Sequence, residues 1–97
     1  MKAIFIAFDQ AHYDSIIQIL QHNSVRGYTS WELVQGRGTK TGEPHLGDHA
    51  WPSTNSSIMT MVEDEKVDRL LELLHQLDQS KPALGLRAFV WNVEKSV

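Results

Sequence analysis

No cysteine occurs among the 97 residues. Neither a disulfide nor a thiolate metal site is available to stabilise the chain, which fits a reducing compartment. An excess of positive charge is also missing. Nine lysines and arginines are scattered along the chain against twelve acidic residues, for a net charge of −3. A nucleic-acid-binding face needs a basic stripe, so no nucleic-acid partner is expected. No apolar run approaches the ~18 residues of a membrane span, so no membrane insertion is expected. The opening Met1–Phe8 has one basic residue and a short apolar core stopped by Asp9. That is not the build of a secretory leader; it reads as a strand in a cytoplasmic protein. Asn55-Ser56-Ser57 matches the glycosylation triplet, which without a secretion signal is read as chance. The length suggests one domain over residues 1–97, burying about 60–65% of its unfolded surface.

Six glycines and three prolines are few, and they are not spread evenly. Four of the glycines and two of the prolines fall in Gly36–Pro52, GRGTKTGEPHLGDHAWP, together with two of the five histidines and one of the three tryptophans. A connection of this length in so small a chain is usually functional or disordered, so the chemistry or recognition is expected within residues 36–55.

The flanking segments read as scaffold. Ala3–Phe8 is apolar on both alternating faces, as a strand. Asp9 is a suitable N-cap, because a carboxylate accepts from the free amides of a helix's first turn. Tyr13, Ile16, Ile17 and Leu20 then follow helical spacing, which predicts a helix over His12–His22 that ends at Asn23-Ser24. Tyr28–Val34 is a second strand and Ile58–Val62 a third. Asp64 is expected to cap a second helix with a stripe of Val67, Leu70, Leu71, Leu74 and Leu77. Ser80-Lys81-Pro82 stops that helix, since proline disfavours helix at the residue before it. Leu86–Val93 is the fourth strand.

The order βαββαβ is the ferredoxin-like α+β arrangement, a four-stranded antiparallel sheet with two helices on one face. A sheet with one wet face should alternate apolar and polar residues. Here Phe5, Trp31, Met59, Met61, Phe89 and Trp91 fall on strands that are apolar on both faces. The second face therefore needs a cover that the chain does not contain, and another copy of the chain is the expected one.

The residue types in the long connection suggest two chemistries. Gly36-Arg37-Gly38-Thr39-Lys40 can set backbone amides and two cations around an anion. It is neither a Walker loop nor a dinucleotide fingerprint, because no Gly-Lys-Ser/Thr follows and a strand rather than a helix comes next. His45, Asp48 and His49 supply two imidazoles and a carboxylate within five residues, suitable for a divalent metal such as zinc, nickel or copper. The same histidines can equally bond to neighbouring backbone, and Asp48 can be a turn residue. Trp51-Pro52 is read as structural, folding back to cap a neighbouring sheet. Catalysis is poorly supported, with no motif that sets a base beside a nucleophile, so a non-enzyme is expected. The alternative is a dimeric α+β barrel, an enzyme or a small-molecule- or metal-binding protein. Its sheet face would line a pocket, and His12, His45 or His49 would be the only general base.

Several stretches resemble the PII family of signalling proteins. Met1-Lys2-Ala3-Ile4 is similar to the family's start. Val25-Arg26-Gly27-Tyr28-Thr29 followed by Glu32-Leu33-Val34-Gln35-Gly36-Arg37-Gly38 is similar to its helix-to-strand crossing and to the Gly-x-Gly that opens its T-loop. Lys40-Thr41-Gly42-Glu43 continues in register, and Gly85–Val90 resembles the strand entered from the B-loop. The resemblance implies a homotrimer of ferredoxin-like subunits with ligand sites in the clefts between them. It also implies a small-molecule effector, such as the nucleotides ATP or ADP, and a loop that reports ligand state to a transporter or metabolic enzyme. Thr39 and Lys40 stand where the family carries an Arg-Gln pair, and Arg87 keeps the charge of its B-loop lysine. The anion contacts expected on this basis are Arg37, Gly38, Thr39, Lys40 and Arg87.

Overall fold

The computed structural model describes residues 1–36, 46 and 54–97. Its elements are β1 (Lys2–Asp9), α1 (Tyr13–His22), β2 (Thr29–Val34), β3 (Asn55–Val62), α2 (Val67–Ser80) and β4 (Leu86–Asn92). A short 3-10 turn leads into each helix, at Gln10–His12 and Asp64–Lys66. The strands lie in the order β2-β3-β1-β4, and every neighbouring pair is antiparallel. This is the ferredoxin-like arrangement anticipated from the element order.

Alternation decides which side chains meet the helices. Ile4, Ile6 and Phe8 of β1 and Ile58 of β3 are buried with Ile16 and Leu20 of α1 and Leu70 and Leu74 of α2. Both helical stripes therefore cover one face of the sheet. Hydroxyl-bearing residues of β3 also sit in that face and donate to carbonyls of β2 and the segment leading into it. Thr60 Oγ1 donates to the Gly27 carbonyl at 2.6 Å, and Ser56 Oγ donates to that of Glu32. At the edge of the face, Ser30 shares a hydrogen bond of 3.0 Å with the Tyr13 hydroxyl of α1.

The helix ends follow their local chemistry except at the start of α2. The Asp9 carboxylate accepts from the Ala11 amide at 2.8 Å, as expected of a cap. Asn23 closes α1 through its side-chain amide, which donates to the Ile19 carbonyl at 2.8 Å, and Ser24 turns left-handed with φ of 59°. Asp64 departs from expectation: Glu63 holds the cap position without a side-chain bond, and Asp64 pairs with the Met1 ammonium at 2.7 Å. The register explains this, since Lys2 lies opposite Val62 and brings the start of β1 beside residue 64. The ammonium holds the Asp64 carboxyl below its ordinary value.

Strand β3 begins at Asn55, three residues before Ile58, because Ser56, Ser57 and Asn55 pair with Phe8, Ala7 and Asp9. These polar residues are buried. Strand β2 is interrupted by a register shift between Trp31 and Val34.

The face away from the helices is apolar. Register sets Thr29, Met59, Phe5 and Phe89 side by side in one row across the four strands, and Met61, Ala3 and Trp91 in another. Trp31, Met61, Phe89 and Trp91 are each 45–56% exposed, and Leu33 is 67% exposed. Scattered single apolar residues are ordinary on a surface; a whole sheet face of them is not.

Candidate functional site

Between these two rows and the start of the long connection runs a third row, Trp31, Ser57, Ala7 and Arg87. Its middle two side chains are small while Met59 and Phe5 beside them are large, so the sheet face is hollowed there. The hollow is a cavity of about 350 Å³. Phe5, Ala7 and Ser57 form its floor, Val34–Gly36 and Asn55 one wall, and Leu84–Arg87 the other. The volume lies within the range of small-molecule sites.

Both walls are tied to the sheet by specific contacts. Space is tight at Gly36: a Cβ there would meet the Asn55 side-chain nitrogen at 2.5 Å, so that buried side chain would have to shift. Gln35 Nε2 donates to the Leu46 carbonyl at 2.8 Å, and Leu46 forms an antiparallel bridge with Thr54. Thr54 in turn donates through its hydroxyl to Gln10 Oε1 at 2.8 Å and accepts from the Gln10 amide at 2.9 Å. On the opposite wall the Asp9 amide donates to the Gly85 carbonyl at 3.3 Å. Gly85 has φ of 85°, a conformation that favours glycine, and turns the chain into β4. The end of β1 therefore touches both walls.

Of the expected anion contacts, Arg87 lies on the cavity wall. Arg37, Gly38, Thr39 and Lys40 lie outside the described residues, immediately after Gly36 on the other wall. The expected metal ligands His45, Asp48 and His49, and Trp51, also lie outside them. No group of three or more metal-ligating side chains occurs among the described residues. No helix among them is long and apolar enough to cross a membrane.

His12 is not in the cavity lining. It is 3% exposed, and its Nε2 is buried without a hydrogen-bond partner. Burial pushes its imidazole below the ordinary value; Asp9 and Asp78 act against the shift and Lys81 with it. Local patterns do not point to Gln10, Gln35, Asn55, Ala7 or Ser57. Their roles arise from strand register, and only Asn55-Ser56-Ser57 carries any signal, in a motif of unrelated meaning.

The fold and cleft define a small ferredoxin-like subunit with a ligand-sized hollow where its long connection meets the sheet. The sequence matches the family of nitrogen regulatory protein P-II over residues 1–97, and the chain belongs to that family. Comparison with curated proteins gives no match. Among solved structures, it is similar to CPII, a nitrogen regulatory PII-like protein from Thiomonas intermedia K12, bound to ADP, AMP and bicarbonate. The identity is 23%, the TM-score 0.75, and the match covers 93% of this chain and 82% of that one. It is also similar to a PII-like signaling protein from Thermus thermophilus, at 22% identity and TM-score 0.67, covering 95% and 85% of the two chains. At these identities the likeness concerns the fold.

Proposed function

We propose that the chain is a non-enzymatic cytoplasmic regulator that binds a nucleotide such as ADP, or another small anion, in the cleft between Gly36 and Arg87. Its 36–55 connection would report occupancy to a partner protein, a transporter or metabolic enzyme. The observation that carries the proposal is the placement of the cleft. It is framed by the connection on one wall and by the Leu84–Arg87 segment on the other, so a bound anion would meet Arg87 and the base of the connection together. Membership of the P-II family supports it, as does the CPII structure bound to ADP and bicarbonate. The apolar sheet face supports assembly with further copies as a homotrimer, which would complete the cleft from a neighbouring subunit.

Native mass spectrometry of the purified chain, with and without ATP, ADP, bicarbonate and divalent metals, tests this. A trimer that gains ADP mass, and loses that gain in Arg87→Ala, is the expected result. A trimer that ignores nucleotide and bicarbonate but retains metal would move the function to His45, Asp48 and His49. A dimer would replace the proposal with the α+β barrel.

A further inference from the structure

The ladder between β2 and β3 changes hands at its end. Val34 pairs with Asn55, but the residue before Asn55, Thr54, is bridged by Leu46 and not by Gln35. Gln35 reaches Leu46 with its side chain instead. Its Nε2 donates to the Leu46 carbonyl at 2.8 Å, across 11 residues of sequence. Thr54 is fixed from its other side, since its carbonyl accepts from the Gln10 amide at 2.9 Å and its hydroxyl donates to Gln10 Oε1 at 2.8 Å. Leu46 is therefore held from two directions, by Thr54 and by a single exposed glutamine. That glutamine also lines the cleft, on the wall opposite Leu84–Arg87. A primary carboxamide carries two N–H donors and an oxygen that accepts, and the bond to Leu46 uses one N–H. The second N–H and Oε1 make no hydrogen bond among the described residues. Ordering a glutamine side chain costs rotamer freedom, so a contact that orders it once lowers the cost of any other contact it makes.

We propose that Gln35 is a ligand contact of the cleft that works in two directions: its carboxamide holds the Leu46 carbonyl with one N–H and gives the other to an acceptor atom of the bound ligand, so that ligand and Gln35–Leu46 tie strengthen each other. This rests on the cleft being the ligand site. The two walls then take different parts of the ligand. Arg87, on the far wall, meets the anionic part. The neutral amide of Gln35 suits an uncharged acceptor, such as a ring nitrogen or a carbonyl or hydroxyl oxygen. Coupling of this kind is reciprocal. The factor by which the ligand stabilises the tie is the factor by which the tie raises the ligand's affinity.

The test uses the full chain and ADP. NMR follows the carbonyl carbon shift of Leu46 and the exchange of the Gln35 side-chain N–H that this carbonyl accepts, and calorimetry gives the ADP affinity. In the parent, that N–H is expected to exchange about fivefold or more slowly when ADP is saturating, a coupling of ordinary size. The Leu46 carbonyl shift should move in the same titration. Gln35→Met keeps a side chain of similar length without the amide, at an exposed position just past the end of β2, so the fold should be retained. In this variant the Leu46 carbonyl shift should differ already in the free chain and lose its response to ADP, and ADP should bind about fivefold or more weakly. ADP binding to the parent that leaves the N–H exchange and the Leu46 shift unchanged would overturn the proposal while the cleft assignment stands. An ADP affinity equal in parent and Gln35→Met would do the same. A parent that binds no ADP would overturn both.

Discussion

Replacing Phe89 with aspartate tests whether the second sheet face is covered by other copies of the chain. Phe89 is 56% exposed, and a phenylalanine presents about 200 Å² of surface, so ~110 Å² is left for a neighbour to cover. At ~25 cal/mol per Å² that is about 3 kcal/mol per subunit, an upper figure because an interface rarely covers all of it. Three subunits would together lose ~8 kcal/mol, on the order of six decades in the dissociation constant of a trimer. An unpaired carboxylate in the contact adds to the loss. The subunit itself should survive, because Ala88 and Val90, the flanking residues of β4, are the ones packed on the helix-covered core. Sedimentation velocity at micromolar concentration should therefore show Phe89→Asp as a monomer with an unchanged far-UV spectrum. A variant that keeps the mass of the parent assembly, or a parent that is itself monomeric, would refute the reasoning.

Gly36→Ala should destabilise the fold by about 2 kcal/mol in urea unfolding, because the new methyl displaces the buried Asn55 side chain, which lies 2.5 Å from it. Gly85→Ala should cost about 1–2 kcal/mol for a different reason: nothing lies within 4 Å of the new methyl, but φ is 85°. Exchanging each glycine for asparagine separates the two, since asparagine tolerates a left-handed backbone but is larger than alanine; the rescue is expected at residue 85 only. Stability should also fall with acid. The folded chain binds a proton at His12 less readily than the unfolded chain does, because burial lowers the imidazole's pKa from its ordinary 6.5. The stability contributed by the neutral ring is full above that ordinary value and is lost as pH falls through it toward the lower folded value, by at most about 1.4 kcal/mol per pH unit. Urea midpoints from pH 8 to pH 5 should show this slope in the parent and a shallower one in His12→Gln.

The strongly periodic parts of the chain are legible in the sequence alone. Alternation in Ala3–Phe8 and helical spacing in Tyr13–Leu20 and Val67–Leu77 report directly which face is buried, and the element order then limits the sheet to few topologies. The start of β3 is not legible. Ser56 and Asn55 look like loop residues, and they are buried in a strand because a Glu32 carbonyl and strand register receive them. Asp64 misleads for a related reason: its partner comes from the other end of a strand pair, which no local motif encodes. The site divides in the same way. Arg87 can be named from the resemblance to a family, whereas the hollow itself depends on Ser57 and Ala7 falling opposite one another. That coincidence belongs to the register of two strands separated by the whole first half of the chain.

β1, the first strand in the order of elements, is completed only by β4, the last. β1 lies between β3 and β4, with Lys2 opposite both Val62 and Asn92. During synthesis one edge of β1 waits until Leu86–Asn92 has emerged. Both of its pairings are long-range, and contacts of that kind slow folding and lengthen exposure to association. A chain interrupted after residue 85 would leave one edge of β1 open, with the alternating apolar row of Ala3, Phe5 and Ala7 beside it. Such a fragment is expected to collect on its own kind, and the short segment Leu86–Asn92 acts, in effect, as the stopper that ends that risk.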